Sequence, residues 1–179
     1  MMERRKHNRL PRYDYAQDGY YFVTICTKDR DEWFGKIEND TMVLNECGRI
    51  VSKCWHDIPN HYRDIKLDES VTMPNHIHGI IVISNAVRTE QCSVPTKRVS
   101  LSQIIKSFKD VSIKQIRSEF SNIHFLWQRS FYDHVIRGEK ELREMREYII
   151  NNPKQWELDV ENIENMEIRK YEKILTRGK

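Results

Sequence analysis

The sequence predicts one α+β domain, built on one mainly antiparallel sheet with helices packed on a face of it. The chain has 179 residues, which suits a single domain, and its four Trp, eight Tyr and six Phe supply enough apolar area for a core. Segments rich in aromatic and β-branched residues alternate with segments whose apolar residues repeat at helical spacing. Their order, strand, helix, strand, strand, helix, strand, helix, is typical of this fold class.

Charge and composition exclude several classes of protein. Thirty Lys and Arg against 27 Asp and Glu give a net charge of +3, which is too small by itself to indicate a polyanionic partner. No run approaches about 18 apolar residues, and no apolar segment follows the charged N-terminus, so we expect neither a membrane span nor a signal peptide. The four cysteines form no Cys-x-x-Cys pair, which favours reduced thiols in a cytoplasmic protein over a zinc knuckle.

The first predicted elements are a strand and a helix. Residues 20–27 are dense in aromatic and β-branched side chains and are bounded by Gly19, so they should form a buried strand. A short segment, 41–44, is either an edge strand or a turn. Apolar residues at helical spacing predict a helix over 46–58, which Pro59 terminates.

A β-hairpin follows. Residues 65–73 and 76–83 have strand character, and Met73, Pro74 and Asn75 join them. Proline removes a backbone donor and asparagine tolerates turn geometry, so this junction should reverse the chain.

The sequence of the second half of the domain predicts a helix, a last strand and another helix. Ser100 or Ser102 can cap a helix that runs to about residue 120. Residues 126–136 form the last core strand, with an interruption at 128–130. A helix over 139–151 ends before Pro153, because proline cannot continue it.

Three regions of the chain differ in composition. The first dozen residues carry five Lys or Arg and one acid, without apolar periodicity, so we assign residues 1–18 to a flexible basic arm. Residues 19–157 make up the single folded domain. Residues 158–179 are a mostly charged C-terminal tail.

Two histidines with one residue between them are the strongest chemical signal. His76 and His78 lie in a predicted strand, where residues i and i+2 share a face and stand roughly 6.6 Å apart. Two imidazoles on one face are able to bind one metal ion. The alternative is a pair of ordinary strand histidines that face solvent or bond to neighbours, because this pattern is short and common.

A tyrosine and an asparagine form a second candidate pair. Tyr148 and Asn152 are four residues apart in the last predicted helix and therefore neighbour each other on one helical face. Alternatively, Tyr148 is an aromatic residue at the edge of the core and Asn152 simply ends the helix before Pro153.

Three segments together resemble one family. Residues 73–83, 127–137 and 146–153 are similar to motifs of the REP-associated branch of single-tyrosine HUH transposases, and the resemblance extends from about residue 20 to residue 156. It implies a ferredoxin-like HUH fold, named for two histidines that flank a hydrophobic residue. Tyr132 and His134 also lie in a motif of this family, without a role that we assign.

The resemblance implies roles for the two candidate pairs. His76 and His78 match the metal-binding histidines, Asn152 matches the polar residue that completes the metal site, and Tyr148 matches the nucleophile. The implied reaction is metal-dependent nicking and strand transfer of single-stranded DNA through a 5′-phosphotyrosine, at hairpin or repeat DNA. His and amide ligands suit Mg²⁺ or Mn²⁺, with Mn²⁺ better matched to imidazole.

Binding DNA requires local positive charge. We expect DNA contacts from the N-terminal arm and from the helix after the loop, because each is nearly free of acids. The predicted DNA-binding residues are Arg4, Arg5, Lys6, Arg9, Arg12, Lys97, Arg98, Lys106, Lys109, Lys114 and Arg117. Alternatively, the basic side chains of this helix simply face solvent and bind no DNA.

Two other functions stay open, and so does the oligomeric state. One is a non-catalytic protein that binds or regulates hairpin DNA on the same fold. The other is an unrelated His-x-His metalloenzyme, in which Tyr148 would have no role. The family resemblance fits a monomer or a homodimer.

Overall fold

The computed structural model describes residues 10, 13–84, 98–159 and 161–162. Its elements, in chain order, are β1 (Gly19–Cys26), β2 (Gly35–Glu38), β3 (Thr41–Leu44), α1 (Glu46–His56), α2 (Ile58–His61), β4 (Ile65–Thr72), β5 (His76–Ile83), α3 (Leu101–Glu119), β6 (Tyr132–Ile136) and α4 (Glu139–Asn151). Two 3-10 turns, Lys28–Arg30 and Pro153–Leu158, follow β1 and α4.

Four strands form an antiparallel sheet in the order β4-β5-β1-β6. Every neighbouring pair is antiparallel, and α1 and α3 connect β1 to β4 and β5 to β6. This is the βαββαβ arrangement of a ferredoxin-like fold, as predicted. The strands β5 and β1 occupy the centre of the sheet, so residues on them have a neighbouring strand on each side.

Helices cover both faces of the sheet, whereas the sequence analysis described helices on a face of it. On one face, Ile77 and Ile81 of β5 join a core that includes Trp55 of α1 and Phe108 of α3. The opposite face forms a smaller cluster from the strands and α4, with the members Phe22, Ile80, Ile136, Leu142 and Ile149. The alternation of side chains along β1 and β5 supplies apolar residues to both clusters.

Most predicted elements are present, with small shifts at their ends. Residues 41–44 form a strand that pairs with β2, a partner that the sequence analysis did not identify. Ser100 is the N-cap of α3.

The last predicted strand, over 126–136, was too long. Only Tyr132–Ile136 joins the sheet, and Trp127 forms an isolated bridge with Thr27. The reason is a buried cation, since the Lys109 ammonium donates hydrogen bonds to the carbonyls of Gln128 and Ser130 at 2.7 and 3.0 Å.

The boundaries of the folded domain also extend beyond those predicted. Tyr15 is buried in the core and its carbonyl accepts a hydrogen bond from the amide of Leu101, so the chain just before β1 is not a flexible arm. Asp159 and Asn162 are buried as well, so the first residues of the predicted tail pack on the domain. Residues 1–9 and 163–179 lie outside the described residues.

Two sequence expectations about thiols and membranes can be compared with the structure. Cys26, Cys47 and Cys54 are free buried thiols, while Cys92 lies outside the described residues. Among the helices of the described ranges, none combines the length and the apolar character needed to cross a membrane.

An ion pair fixes α4 on the edge of the sheet. The Arg146 guanidinium donates to both carboxylate oxygens of Asp68 on β4, at 2.8 and 2.6 Å, and the Asp68 side chain is largely buried. This two-bond geometry restrains rotation and sliding of the helix. Tyr148 lies two residues after Arg146, so the pair also helps to place the tyrosine.

Gly79 in β5 is a position where any side chain would overpack the core. A Cβ there would stand 2.3 Å from Cζ2 of Trp55, which is fully buried. We expect Gly79→Ala to lower the free energy of unfolding by about 1–3 kcal/mol in urea denaturation. Gly138→Ala is the control, because nothing lies within 4 Å of its added Cβ, and it should cost less than about 1 kcal/mol.

The Asp68 ion pair predicts a dependence of stability on pH. The hydrogen bond with Arg146 holds the pKa of Asp68 below its ordinary value, so this stabilisation is present above about pH 4 and is lost as the pH falls through the lowered pKa. We expect Asp68→Asn to lower the free energy of unfolding by about 1–2 kcal/mol at pH 7 and by less at pH 3. Asp40→Asn is an exposed control; an equal loss from Asp68→Asn at both pH values would contradict the electrostatic origin.

Candidate active site and metal centre

The two histidines of β5 lie side by side in the middle of the sheet. Alternation along the strand puts His76 and His78 on the face covered by α4, with ring centroids 4.3 Å apart. Their partners across β1 are Cys26 and Thr24. Both rings are almost fully buried, at 0% and 2% exposure, so they do not fit the alternative of solvent-facing strand histidines.

Asn75 determines which nitrogen of His76 carries the proton. The Asn75 amide nitrogen donates to the carbonyls of Arg30 and Glu161 at 3.0 and 2.8 Å, which turns its oxygen towards His76. That oxygen only accepts, so His76 Nδ1 donates to it at 2.8 Å. In a neutral ring Nε2 then keeps a free lone pair, and this atom is buried with no hydrogen-bond partner among the described residues.

His78 is held from three sides. Its Nδ1 lies 2.9 Å from the Thr24 hydroxyl, its ring stacks on Phe22 at 5.4 Å between centroids, and its Nε2 lies 3.3 Å from the Tyr148 hydroxyl. The Thr24 hydroxyl oxygen is able to accept a hydrogen bond from Nδ1–H, which leaves the Nε2 lone pair directed at the tyrosine side of the site.

Burial keeps both rings neutral at pH 7. It lowers the pKa of His78 to about 4, although the nearby Asp159 carboxylate acts in the opposite direction. The pKa of His76 lies well below its ordinary value because of burial first, then because two protonated rings would repel each other, and then because of the positive charge of Arg30. Neutral imidazole is the form that binds metal ions.

A carboxylate from beyond α4 completes the cluster. The ligand atoms of His76, His78 and Asp159 all lie within 4.8 Å of one another, and all three residues are buried. Asp159 Oδ2 accepts a hydrogen bond from the Asn152 amide at 2.9 Å, and Asp159 Oδ1 accepts one from the backbone amide of Glu161 at 2.7 Å. These bonds orient the carboxylate towards the two histidines.

This donor set fits a divalent metal ion. Two neutral imidazoles and one carboxylate can hold a divalent cation with open positions for substrate. The buried lone pair of His76 Nε2 would gain a partner, as would the buried side-chain oxygen of Asn152, which has none among the described residues. Asn152 therefore lies beside the cluster, and its amide nitrogen holds Asp159 in place.

Tyr148 faces this cluster from α4. Its ring lies 5.2 Å from that of His78 and meets Phe22 edge-on at 5.9 Å. Burial raises the pKa of Tyr148 to about 12, the Asp159 carboxylate adds to the rise, and a hydrogen bond with Asn152 opposes it. The phenol is therefore protonated at pH 7, and its proton has to leave as the oxygen forms a new bond.

An open cavity gives access to the tyrosine. It has a volume of about 580 Å³, and its walls include Tyr148, His78, Thr24, Arg30 and Gln128. Tyr132 and His134, from the family motif without an assigned role, also line it, and His134 pairs with Glu141 at 2.6 Å. The cavity opens on the α4 face of the sheet.

The predicted DNA-binding residues are only partly described. Arg98, Lys106, Lys114 and Arg117 are exposed on or just before α3, and Lys106 pairs with Asp110. Lys109 does not fit a DNA contact, because it is buried and bonded to two carbonyls. The remaining predicted residues, Arg4, Arg5, Lys6, Arg9, Arg12 and Lys97, lie outside the described residues.

Sequence reasoning missed three residues of this site. Asp159 stands seven residues after Asn152, in a stretch assigned to a charged tail, and no spacing rule connects it to the histidines. Asn75 was identified only as a turn residue and Thr24 only as part of a strand. Their roles depend on strand register and on where the chain returns after α4.

The chain is similar in sequence and in fold to known proteins. A protein of Haemophilus influenzae described only as uncharacterised is 38% identical over 166 residues, covering 87% of this chain and 91% of that protein. A second protein of the same organism, assigned as a REP-associated tyrosine transposase, is 26% identical over 147 residues, covering 79% and 74% of the two chains. The structure of a REP-associated tyrosine transposase bound to a REP hairpin superposes with a TM-score of 0.56 at 18% identity, over 87% of this chain and 74% of that one.

The fold and the comparisons define a DNA-processing enzyme of the transposase class. Residues 15–152 match the sequence model of the family described as "Transposase IS200 like". The chain belongs to the IS200-like transposase family.

The cluster predicts a metal-dependent gain in thermal stability. A ligand at 100 times its Kd stabilises the folded state by about 2.7 kcal/mol, so titrated Mn²⁺ should raise the melting temperature of the wild-type protein. We expect His76→Ala to remove most of this metal-dependent rise, whatever its effect on the melting temperature without metal. His124→Ala, which removes an exposed histidine, should keep the rise; an equal rise in His76→Ala would contradict the site.

Proposed function

We propose that this protein is a metal-dependent transposase that nicks single-stranded DNA and transfers strands through a 5′-phosphotyrosine on Tyr148, at hairpin or repeat DNA. One observation carries the proposal. The Tyr148 hydroxyl lies 3.3 Å from His78 Nε2, beside a cluster of ligand atoms that suit a divalent cation. Tyr148 and His78 line the same open cavity.

The site contains the groups that this reaction needs. The phenol oxygen of Tyr148 attacks phosphorus, the bond from phosphorus to the 3′-oxygen breaks, and the phenol loses its proton while the 3′-oxygen gains one. A divalent ion held by His76, His78 and Asp159 would polarise a non-bridging oxygen of the phosphate. Because the bond energy is kept in the phosphotyrosine, attack by another 3′-hydroxyl can rejoin strands.

Packing around Tyr148 supports its role as the nucleophile. Phe22 and the His78 ring restrict the tyrosine ring, and the Asp68–Arg146 pair fixes the helix that carries it. A positioned nucleophile lowers the entropic cost of attack. Tyr148 lies beside the histidine pair within one chain, which supports a monomer as the reacting unit.

The metal is Mn²⁺ or Mg²⁺, and the ligand types favour Mn²⁺. Two imidazoles bind Mn²⁺ better than Mg²⁺, which prefers oxygen ligands and water. Asp159 supplies an oxygen ligand that either ion accepts. Asn152 acts through Asp159 by holding its carboxylate.

The exposed cations of α3 provide a surface for the DNA backbone. Lys106 and Arg129 line a groove along α3, and Lys114 and Arg117 line the next depression of the same helix. Gln128 and Phe131 border both the groove of Lys106 and the cavity of Tyr148, so a DNA strand could pass from the groove into the cavity. Hairpin DNA as the substrate is supported by the related transposase, which is bound to a REP hairpin.

A covalent-adduct assay tests the proposal. Wild-type protein with Mn²⁺ and a single-stranded hairpin oligonucleotide should give a protein–DNA adduct that resists denaturation. We expect Tyr148→Phe to lower adduct formation at least about 10³-fold, because the substitution removes the hydroxyl oxygen that forms the bond to phosphorus. Tyr62→Phe is the control, since Tyr62 packs against the core on the opposite face of the sheet.

Hairpin affinity measured in parallel separates the alternatives. Hairpin binding without any adduct from the wild-type protein would favour a non-catalytic DNA-binding protein. A normal yield of adduct from Tyr148→Phe would refute the assignment of Tyr148 as the nucleophile. Metal-dependent hydrolysis of small substrates that does not need Tyr148 would favour an unrelated metalloenzyme.

A further inference from the structure

We propose that Arg30 contacts the scissile phosphate and stabilises the charge that develops there during attack by Tyr148. This inference rests on the proposed function and adds a catalytic residue to it. The arginine lies outside the three segments that resemble the family and was not a candidate from the sequence.

The position of Arg30 is fixed relative to the histidine pair. It lies in the turn after β1, and its Nη1 donates to the sulfur of Cys26 at 3.2 Å. Cys26 is the cross-strand partner of His76, so the guanidinium lies near the end of β5 where the cluster begins.

The backbone at this turn adopts an unfavourable conformation. Asp29 and Arg30 have φ values of 56° and 65°, the left-handed region that residues with a side chain rarely adopt. Two side-chain hydrogen bonds hold the turn, one from the Asn75 amide to the Arg30 carbonyl and one from the Thr27 hydroxyl to the Asp31 carbonyl. Strained backbone that is held in this way is concentrated at functional sites.

Arg30 is the only Lys or Arg among the described residues that line the cavity of Tyr148. The two acids of the lining are already paired, since Glu141 meets His134 and Glu161 meets Arg30. A phosphate that enters this cavity to meet Tyr148 therefore has one permanent side-chain cation within it.

The guanidinium retains donors for a phosphate. It offers five N–H groups in a planar fork, which matches two phosphate oxygens. Nη1 contacts Cys26 and Glu161, whereas Nε is buried and has no hydrogen-bond partner among the described residues. A buried donor without a partner is costly unless a ligand satisfies it.

Arg30→Gln tests the contact in single-turnover adduct formation with saturating hairpin DNA and Mn²⁺. We expect a rate loss of about 10²–10³-fold, typical of removing one donor to a developing charge, with little change in hairpin affinity. Arg30→Lys should recover part of the rate, because it keeps the charge without the fork. Arg63→Gln, which changes an exposed arginine outside the cavity lining, should react like the wild-type protein.

Chemical rescue separates catalysis from folding. Adduct formation by Arg30→Ala should rise at least about tenfold on adding millimolar guanidinium, whereas urea, which has the same shape without the charge, should not restore it. A normal rate in Arg30→Gln, or a slow Arg30→Ala that guanidinium does not rescue, would overturn the assignment. Absence of adduct from the wild-type protein would instead refute the proposed function.

Discussion

The burial of two imidazoles in the central strands is the constraint on which the rest of the site depends. A buried ring is stable only when it is neutral and its polar atoms have partners. Asn75 satisfies Nδ1 of His76 and Thr24 lies within hydrogen-bond distance of Nδ1 of His78, so the second nitrogen of each ring is left for the site. His78 Nε2 meets Tyr148, and His76 Nε2 meets nothing among the described residues. The fold therefore places ring-nitrogen lone pairs together at one buried point. A metal ion is the partner that would bind them.

Because helices cover both faces of the sheet, the main hydrophobic core and the candidate active site lie on opposite faces. The face with α1 and α3 holds most of the large apolar side chains, including Trp55 packed against Gly79. The opposite face holds a small apolar cluster under α4, and the histidines lie beside it. The strand alternation that sends Ile77 into the main core sends His76 and His78 to the face of Tyr148. A shift of one residue in the register of β5 would exchange these faces and remove both core and site.

The sequence predicted the elements that have a local signal. The period of β5 puts both histidines on one face, and the helical spacing of Tyr148 and Asn152 puts them on a common side of α4, because both follow from backbone periodicity. The role of Asp159 could not be predicted, since it depends on the chain folding back after Pro153. The position of Arg30 could not be predicted either, because it depends on left-handed backbone at Asp29 and Arg30 that these residue types do not favour. Lys109 was misread because composition cannot distinguish an exposed lysine from one that is buried among carbonyls.

Charge around the site also changes the meaning of the small net charge. The exposed cations of α3 lie along a groove and the depression next to it, whereas Asp159, Glu161 and Glu141 surround the tyrosine cavity and its cluster. An anionic substrate that is attracted by α3 would be repelled at the reacting centre if those carboxylates acted alone. A divalent cation beside Asp159, together with Arg30 beside Glu161, would offset the negative charge of these three carboxylates. The acids near the site then serve to hold cations where the phosphate must come, so the balance of charge over the whole chain carries no information about its partner.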